Sequence, residues 1–245
     1  MTTQMTTHDN WTVQNEVYSL FKFILPMFEH VFGKEVMAYE MCSVVINRNK
    51  PMPITTFNPM KITLQADPNC WNQIAHQLAH ELTHYAVRKY TDKNVKICAI
   101  SAFEEPAANA MSLYILKLCA EQWHKCDLYK INPNYADVFE KSRATMYIEV
   151  SGNKPRDYNE WVILDDKYTG KLTSAEQRPD VSEMCNHLYD TFVEMPDSIA
   201  VFIRYPLYLR SIPYDKLIEE NLWMLNEPES ANFIRRICKI QPTVA

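Results

Sequence analysis

Glycine is scarce in this chain of 245 residues, which contains only 3 glycines against 14 prolines. Glycine supplies the positive φ angles of tight turns and lets the backbone approach a phosphate closely. Phosphate-binding loops and dinucleotide-binding loops each require several glycines at fixed spacing. The composition therefore excludes P-loop and dinucleotide-binding proteins.

Long apolar segments and strongly basic segments are missing as well. The most apolar stretch, residues 18–32, is interrupted by charged residues and by Pro26, so it is too short and too broken to cross a bilayer. The first ten residues are polar and lack the apolar core of a signal peptide. A formal net charge of −5 without a basic run gives no support to nucleic-acid binding. We expect neither a membrane nor a nucleic acid among the partners.

The seven cysteines are odd in number, scattered, and without the C-x-x-C spacing of cysteine zinc sites. Such a set is typical of buried free thiols in a reducing compartment rather than of a disulfide framework. The sequence thus favours a cytoplasmic protein, while secretion without a cleaved signal peptide stays open as an alternative.

Hydrophobic periodicity predicts a mostly helical α+β protein with a small sheet in its first hundred residues. The predicted elements of the first half are a helix over Trp11–Phe32 that Pro26 kinks or splits, a strand over Cys42–Ile46, a loop over Asn47–Pro59, a strand over Lys61–Ala66, a helix from Asp67-Pro68 to Tyr90 and a helix from Ser101 to about His124. The last of these is apolar on nearly all sides, which predicts a central position. Further on, the pattern is mainly helical, for example over Val181–Val193.

The helix that ends near Tyr90 contains the run His80-Glu81-Leu82-Thr83-His84. Residues four apart lie one turn above each other on a helix, so His80 and His84 can offer imidazole nitrogens to one metal ion. Glu81 projects about 100° away from His80, but its carboxylate can still reach a water molecule beside that ion. This H-E-x-x-H pattern is typical of zinc peptidases, in which the glutamate is the general base.

A zinc ion held in this way needs a third protein ligand and keeps a fourth position for water. The next helix offers Glu104 and Glu105. Ser101 and Glu104 have the spacing of a capping box, in which Glu104 would bind the backbone N–H of Ser101. This favours Glu105 as the metal ligand. Asn109, one turn further, could orient a ligand as its hydrogen-bonding partner.

The pattern His80-Glu81-Leu82-Thr83-His84 followed by Glu105-x-x-Ala108-Asn109 resembles the gluzincin metallopeptidases. The helix segment Glu105-Pro-Ala-Ala108-Asn109-Ala-Met111 is similar to that of the ImmA/IrrE-type intracellular peptidases. The resemblance covers about residues 60–120. It departs from thermolysin-like enzymes at Asn109, where they have Asp, and it lacks the Leu-Leu-Met-Pro ending of the ImmA-type helix.

The resemblance implies a zincin-like fold, zinc on His80, His84 and Glu105, and Glu81 as the base. It also implies that the strand over Lys61–Ala66 is the edge strand that pairs with an extended peptide substrate. We accordingly expect one zincin-like domain, 1–245, with an N-terminal lobe, 1–95, that carries the active helix. A mainly helical lobe, 96–245, would carry the third ligand.

Peptide-bond hydrolysis by this zinc site is the function that the sequence favours, whether as an endopeptidase or as an aminopeptidase. Candidates for stabilising the oxyanion, all from the second half of the chain, are His187, Tyr189, Tyr205 and Tyr208. The oligomeric state is left undetermined.

Three alternatives stay open. The site could be a structural staple in a catalytically inactive protein that acts by binding partners. His76 could complete a closed site, although about 12 Å of helix axis separates it from His84. The two histidines could also lie on a helix surface without a metal.

Overall fold

The computed structural model describes residues 4–38, 41–49, 53–57, 60–90, 104–147, 178–196 and 199. These residues form an α+β structure that is mostly helical and has a small N-terminal mixed sheet, as the sequence predicts. The chain divides into two compact units, Met1–Lys89 with Ala108–Ile148, and Tyr90–Ala107 with Glu149–Ala245. The lobe boundary at residue 95 stays a prediction.

The elements of the described residues are as follows in chain order. The strands are β1 (Met5–His8), β2 (Trp11–Gln14), β3 (Cys42–Ile46), β4 (Ile54–Phe57) and β5 (Met60–Leu64). The helices are α1 (Asn15–Phe32), α2 (Lys34–Met37), α3 (Trp71–Tyr90), α4 (Glu104–Gln122), α5 (Ala136–Met146) and α6 (Arg178–Glu194), with three short 3-10 turns between α4 and α5.

The sheet has the strand order β1-β2-β3-β5-β4. β2, β3 and β5 run parallel to one another, while β1 and β4 pair antiparallel at the two edges. The expectation that the strand after residue 60 is an edge strand is therefore wrong, because β5 lies between β3 and β4. Among the described strands, the edge strand on that side is β4, which falls inside the predicted loop over Asn47–Pro59.

The start of the first predicted helix also differs from the prediction. Residues 11–14 form β2, and the helix begins at Asn15. β1 and β2 are joined by Asp9 and Asn10, and Asp9 has a φ of 49°, which asparagine and aspartate tolerate better than most residues. The α1 helix then continues through Pro26 to Phe32, and Gly33, with a φ of 88°, ends it.

One face of the sheet is covered by α1 and α3. Trp11, on β2, contacts Phe21 of α1 and Tyr85 of α3, with ring centroids 5.1 and 4.7 Å apart. The paired residues Val13, Val44 and Ile62 lie on the same face as Trp11 and are fully buried. Every second residue of the strands and the apolar faces of α1 and α3 therefore pack against each other in this core.

The α4 helix is buried on nearly all sides, as its apolar pattern predicts. Its residues 110–116 are all buried, including Ser112, whose hydroxyl donates to the Ala108 carbonyl oxygen at 2.8 Å. At the far end, Trp123 packs against Trp71 at the start of α3 and against Phe139 of α5, with centroid distances of 5.7 and 5.2 Å. This aromatic cluster ties α3 to the end of α4 within the first compact unit.

The second compact unit is described mainly through α6. The predicted helix over Val181–Val193 is confirmed and extends from Arg178 to Glu194. Met184, Leu188 and Phe192 recur at four-residue spacing and are buried, as expected for the apolar face of an amphipathic helix.

Candidate metal centre

The two histidines of the H-E-x-x-H pattern lie side by side on α3. Their ring centroids are 4.8 Å apart with the planes 71° to each other, and their Nε2 atoms are 3.1 Å apart. His84 is buried, while His80 is partly exposed. Helical periodicity places the two residues one above the other, and their side-chain conformations bring the two Nε2 atoms together.

Glu105 completes the group. It lies in the first turn of α4, and its carboxylate oxygen and the ligand nitrogens of His80 and His84 all lie within 4.8 Å of one another. Among the described residues, no fourth histidine, cysteine, aspartate or glutamate belongs to this group. The three residues that the sequence assigns to the metal are thus brought together.

The two histidine nitrogens are close enough to bind one metal ion. With zinc–nitrogen bonds of about 2.05 Å, nitrogens 3.1 Å apart correspond to an N–Zn–N angle of about 98°, which is close to tetrahedral. Nitrogen and carboxylate oxygen are also the donors that zinc takes in sites with two histidines and a glutamate. The ligand atoms of the whole group are up to 4.8 Å apart, whereas two ligands of one zinc ion are at most about 4.2 Å apart, so Glu105 must move closer by several tenths of an ångström for all three to bind one ion.

Glu81 is not a member of the ligand group but lies beside it on α3. Its side chain is buried, with 3% of its surface exposed. The Thr55 hydroxyl of β4 donates a hydrogen bond of 2.6 Å to Glu81 Oε2. A buried carboxylate needs such a donor, because an unpaired charge is costly away from water.

Gln77 anchors α3 to the sheet one turn before His80. Its Oε1 accepts from the Gln65 backbone N–H and its Nε2 donates to the Gln65 carbonyl oxygen, both at 2.8 Å. Gln65 directly follows β5. The Gln77 side chain therefore makes the two backbone hydrogen bonds that a neighbouring strand would otherwise make with Gln65. The paired bonds hold the segment that carries the histidines at a fixed distance from the sheet.

His76 lies one turn before His80 and is not a member of the group. It is partly buried. Burial, and to a lesser extent the charge of His80, lowers the pKa of His76 from 6.5 to about 4. His76 is therefore neutral at pH 7 and adds no positive charge beside the candidate metal position.

Glu104 and Asn109 share α4 with Glu105. Glu104 is partly exposed and does not belong to the ligand group, in agreement with the choice of Glu105. The capping box proposed for Glu104 lies outside the described residues, because its partner Ser101 does. Asn109 is partly exposed one turn after Glu105, and its role as a partner of a ligand stays a prediction.

The candidates for oxyanion stabilisation stay predictions as well. His187 and Tyr189 lie on α6, where Tyr189 is buried and His187 is partly exposed. Tyr205 and Tyr208 lie outside the described residues.

Sequence reasoning missed Thr55, because it falls in the predicted loop over Asn47–Pro59. Only the run Ile54-Thr55-Thr56-Phe57, which consists of β-branched residues and one aromatic residue, indicated a strand there. Nothing in the sequence indicated that its hydroxyl would meet Glu81, since 26 residues separate the two.

Among the helices that the structure describes, none has both the length and the hydrophobicity needed to span a membrane. Comparisons of the chain with protein-family models, with curated proteins and with solved structures found no match in any of the three.

Proposed function

We propose that this protein is a zinc-dependent peptidase that hydrolyses peptide bonds. The observation that carries the proposal is the convergence of His80, His84 and Glu105 within 4.8 Å, next to the buried carboxylate of Glu81. Among the described residues, three protein ligands leave a fourth position for a reactant, which is the arrangement of catalytic zinc sites, whereas structural sites are filled by four protein side chains.

Each residue has a distinct role in this proposal. His80 and His84, both as neutral imidazoles, and the Glu105 carboxylate hold the ion. When bound, zinc supplies a Lewis acid that polarises the scissile carbonyl and acidifies water. Glu81 accepts a proton from the attacking water and returns it to the nitrogen of the leaving amine.

The position of β4 supports an extended peptide as the substrate. β4 pairs with β5 on one side, and among the described strands no partner lies on its other side. Thr55 of β4 contacts Glu81, so this edge lies next to the proposed base. A peptide that adds to β4 as a further strand would gain backbone hydrogen bonds close to the general base.

The decisive experiment compares the wild-type chain with Glu81→Gln. Purified zinc-loaded protein is incubated with a mixture of internally quenched fluorescent peptides, and zinc content is measured for both forms. We expect about one zinc per chain in both, and a fall in cleavage rate of at least about 100-fold in the variant, because a general base is lost. Glu35→Gln, at an exposed position on α2, is the matched control and should cleave as the wild type does.

Two results would contradict the proposal. Equal cleavage rates for wild type and Glu81→Gln would show that Glu81 is not the general base. Zinc binding without cleavage by either form would favour the alternative, a catalytically inactive protein that zinc stabilises and that acts by binding partners.

A further inference from the structure

The contact between Thr55 and Glu81 joins an edge strand to the active helix. The Thr55 hydroxyl lies 2.6 Å from Glu81 Oε2 and 3.5 Å from the Glu81 carbonyl oxygen. A hydroxyl has one proton to donate, and the shorter contact to a charged acceptor is the stronger bond. The proton of Thr55 is therefore committed to the carboxylate.

The two carboxylate oxygens of Glu81 are in different environments. Within the described part of the chain, Thr55 is the only hydrogen-bond donor to this carboxylate, and it binds Oε2. This leaves Oε1 to accept a proton from water. A carboxylate held through one oxygen keeps the other in a defined direction, which a general base requires.

The orientation of Thr55 is itself determined by the sheet. Thr55 pairs with Ile62 of β5, and directly paired residues of an antiparallel ladder point to the same face. Ile62 is fully buried on the face that α1 and α3 cover. Thr55 thus points towards α3, and its β-branched side chain restricts the rotation of the hydroxyl.

We infer that Thr55 is a positioning residue for the general base, holding the Glu81 carboxylate so that Oε1 faces the attacking water. This inference rests on the proposed peptidase function. Thr55 itself contacts neither substrate nor metal in this scheme; it acts through Glu81. Loss of its hydroxyl should slow the chemical step without weakening metal or substrate binding.

The activity test uses the full-length zinc-loaded chain and the quenched peptide that wild type cleaves fastest. Thr55→Val keeps the shape of the side chain and its preference for a strand but removes the donor. We expect kcat to fall about 10- to 100-fold, as for a reacting group displaced by about 1 Å, with KM and zinc content unchanged. Thr55→Ser, which retains a hydroxyl, should restore most of kcat.

Thr63→Val is the matched control. Thr63 is a buried threonine on the neighbouring strand β5, adjacent to Ile62 and therefore on the opposite face of the sheet. This variant should retain the wild-type kcat. If kcat fell as far in Thr63→Val as in Thr55→Val, the effect would come from any change to the sheet, and the inference would be overturned.

A second measurement does not depend on activity. In the metal-free chain, Thr55→Val should raise the unfolding equilibrium constant about tenfold, because a buried charged acceptor loses its donor. In a Glu81→Met background, which has no acceptor, the same substitution should leave that constant nearly unchanged. Equal effects in both backgrounds would show that the two side chains are not coupled and would overturn the inference.

The outcomes separate the two proposals. If wild type cleaves peptides and Thr55→Val cleaves equally fast, the role of Thr55 is wrong and the peptidase proposal stands. If KM or zinc content changes while kcat does not, Thr55 serves binding rather than the base. If zinc-loaded wild type cleaves nothing, the peptidase proposal fails and the role of Thr55 fails with it.

Discussion

The assignment of the third ligand can be tested by replacing Glu105 and Glu104 in turn with glutamine. Glu105 belongs to the ligand group, whereas Glu104, its neighbour on the same helical turn, does not. Glutamine keeps the size of the side chain and its helix propensity but removes the negative charge. We expect Glu105→Gln to lose zinc affinity and Glu104→Gln to keep it.

The expected loss of zinc affinity follows from the loss of one ligand. The expected change in Tm follows from the thermodynamic linkage between zinc binding and unfolding. Loss of a partner that only supports a ligand already weakens metal binding 10- to 100-fold, so loss of a ligand should cost at least about 100-fold. At a free zinc concentration 100 times the wild-type Kd, zinc stabilises wild type by about 2.7 kcal/mol and such a variant by about 0.4 kcal/mol. For a chain of this size, these values correspond to rises in Tm of roughly 5–11 °C and 1–2 °C.

Thermal unfolding in a zinc buffer measures this directly. Wild type, Glu105→Gln and Glu104→Gln are scanned with and without zinc at the same free concentration, and the rise in Tm is compared. A full rise for Glu105→Gln would refute the assignment. A rise lost in Glu104→Gln but kept in Glu105→Gln would transfer the ligand role to Glu104.

Two further predictions concern the surroundings of the site. The pKa of His76 falls on folding to about 4, so acid favours the unfolded state. The free energy of unfolding of the metal-free chain should thus fall by roughly 3 kcal/mol between pH 6.5 and 4, and His76→Gln should remove most of that fall; an unchanged pH dependence would contradict this. Gln77→Leu leaves the Gln65 backbone N–H without its side-chain acceptor and leaves the Gln65 carbonyl oxygen only the longer bond from Gln73, which should cost about 1–3 kcal/mol in urea unfolding. Gln73→Leu, whose amide is 3.5 Å from the same carbonyl oxygen, is the control, and an equal loss there would contradict the role of Gln77.

Local periodicity determined much of the candidate site. His80 and His84 had to stack once α3 was helical, because residues four apart share a face. The all-round apolar pattern of α4 predicted its buried position, since a helix without a polar face must be covered on every side. These features depend only on residues close in sequence, and the structure confirms them.

The short strands β2 and β4 were harder to predict from the sequence than the helices. Over residues 11–14 the period-2 pattern of β2 is only four residues long, and it merges with the helical pattern that follows. β4 is equally short and is flanked by prolines in the sequence, which are typical of loops. Strands of this length are recognisable mainly through their partners.

Only the tertiary structure decided which side chains meet across elements. Sheet order made β4 rather than β5 the edge strand and turned Thr55 towards Glu81, a contact between residues 26 positions apart. The position of α4 likewise brought Glu105 to the histidines. The sequence by itself determined the pair His80 and His84, because one helical turn spans them. The spacing of Ser101 and Glu104 and the family resemblance indicated Glu105 as a candidate ligand. Whether Glu105 comes near the histidines, and which side chain contacts Glu81, depends on packing between separate segments, which no local pattern encodes.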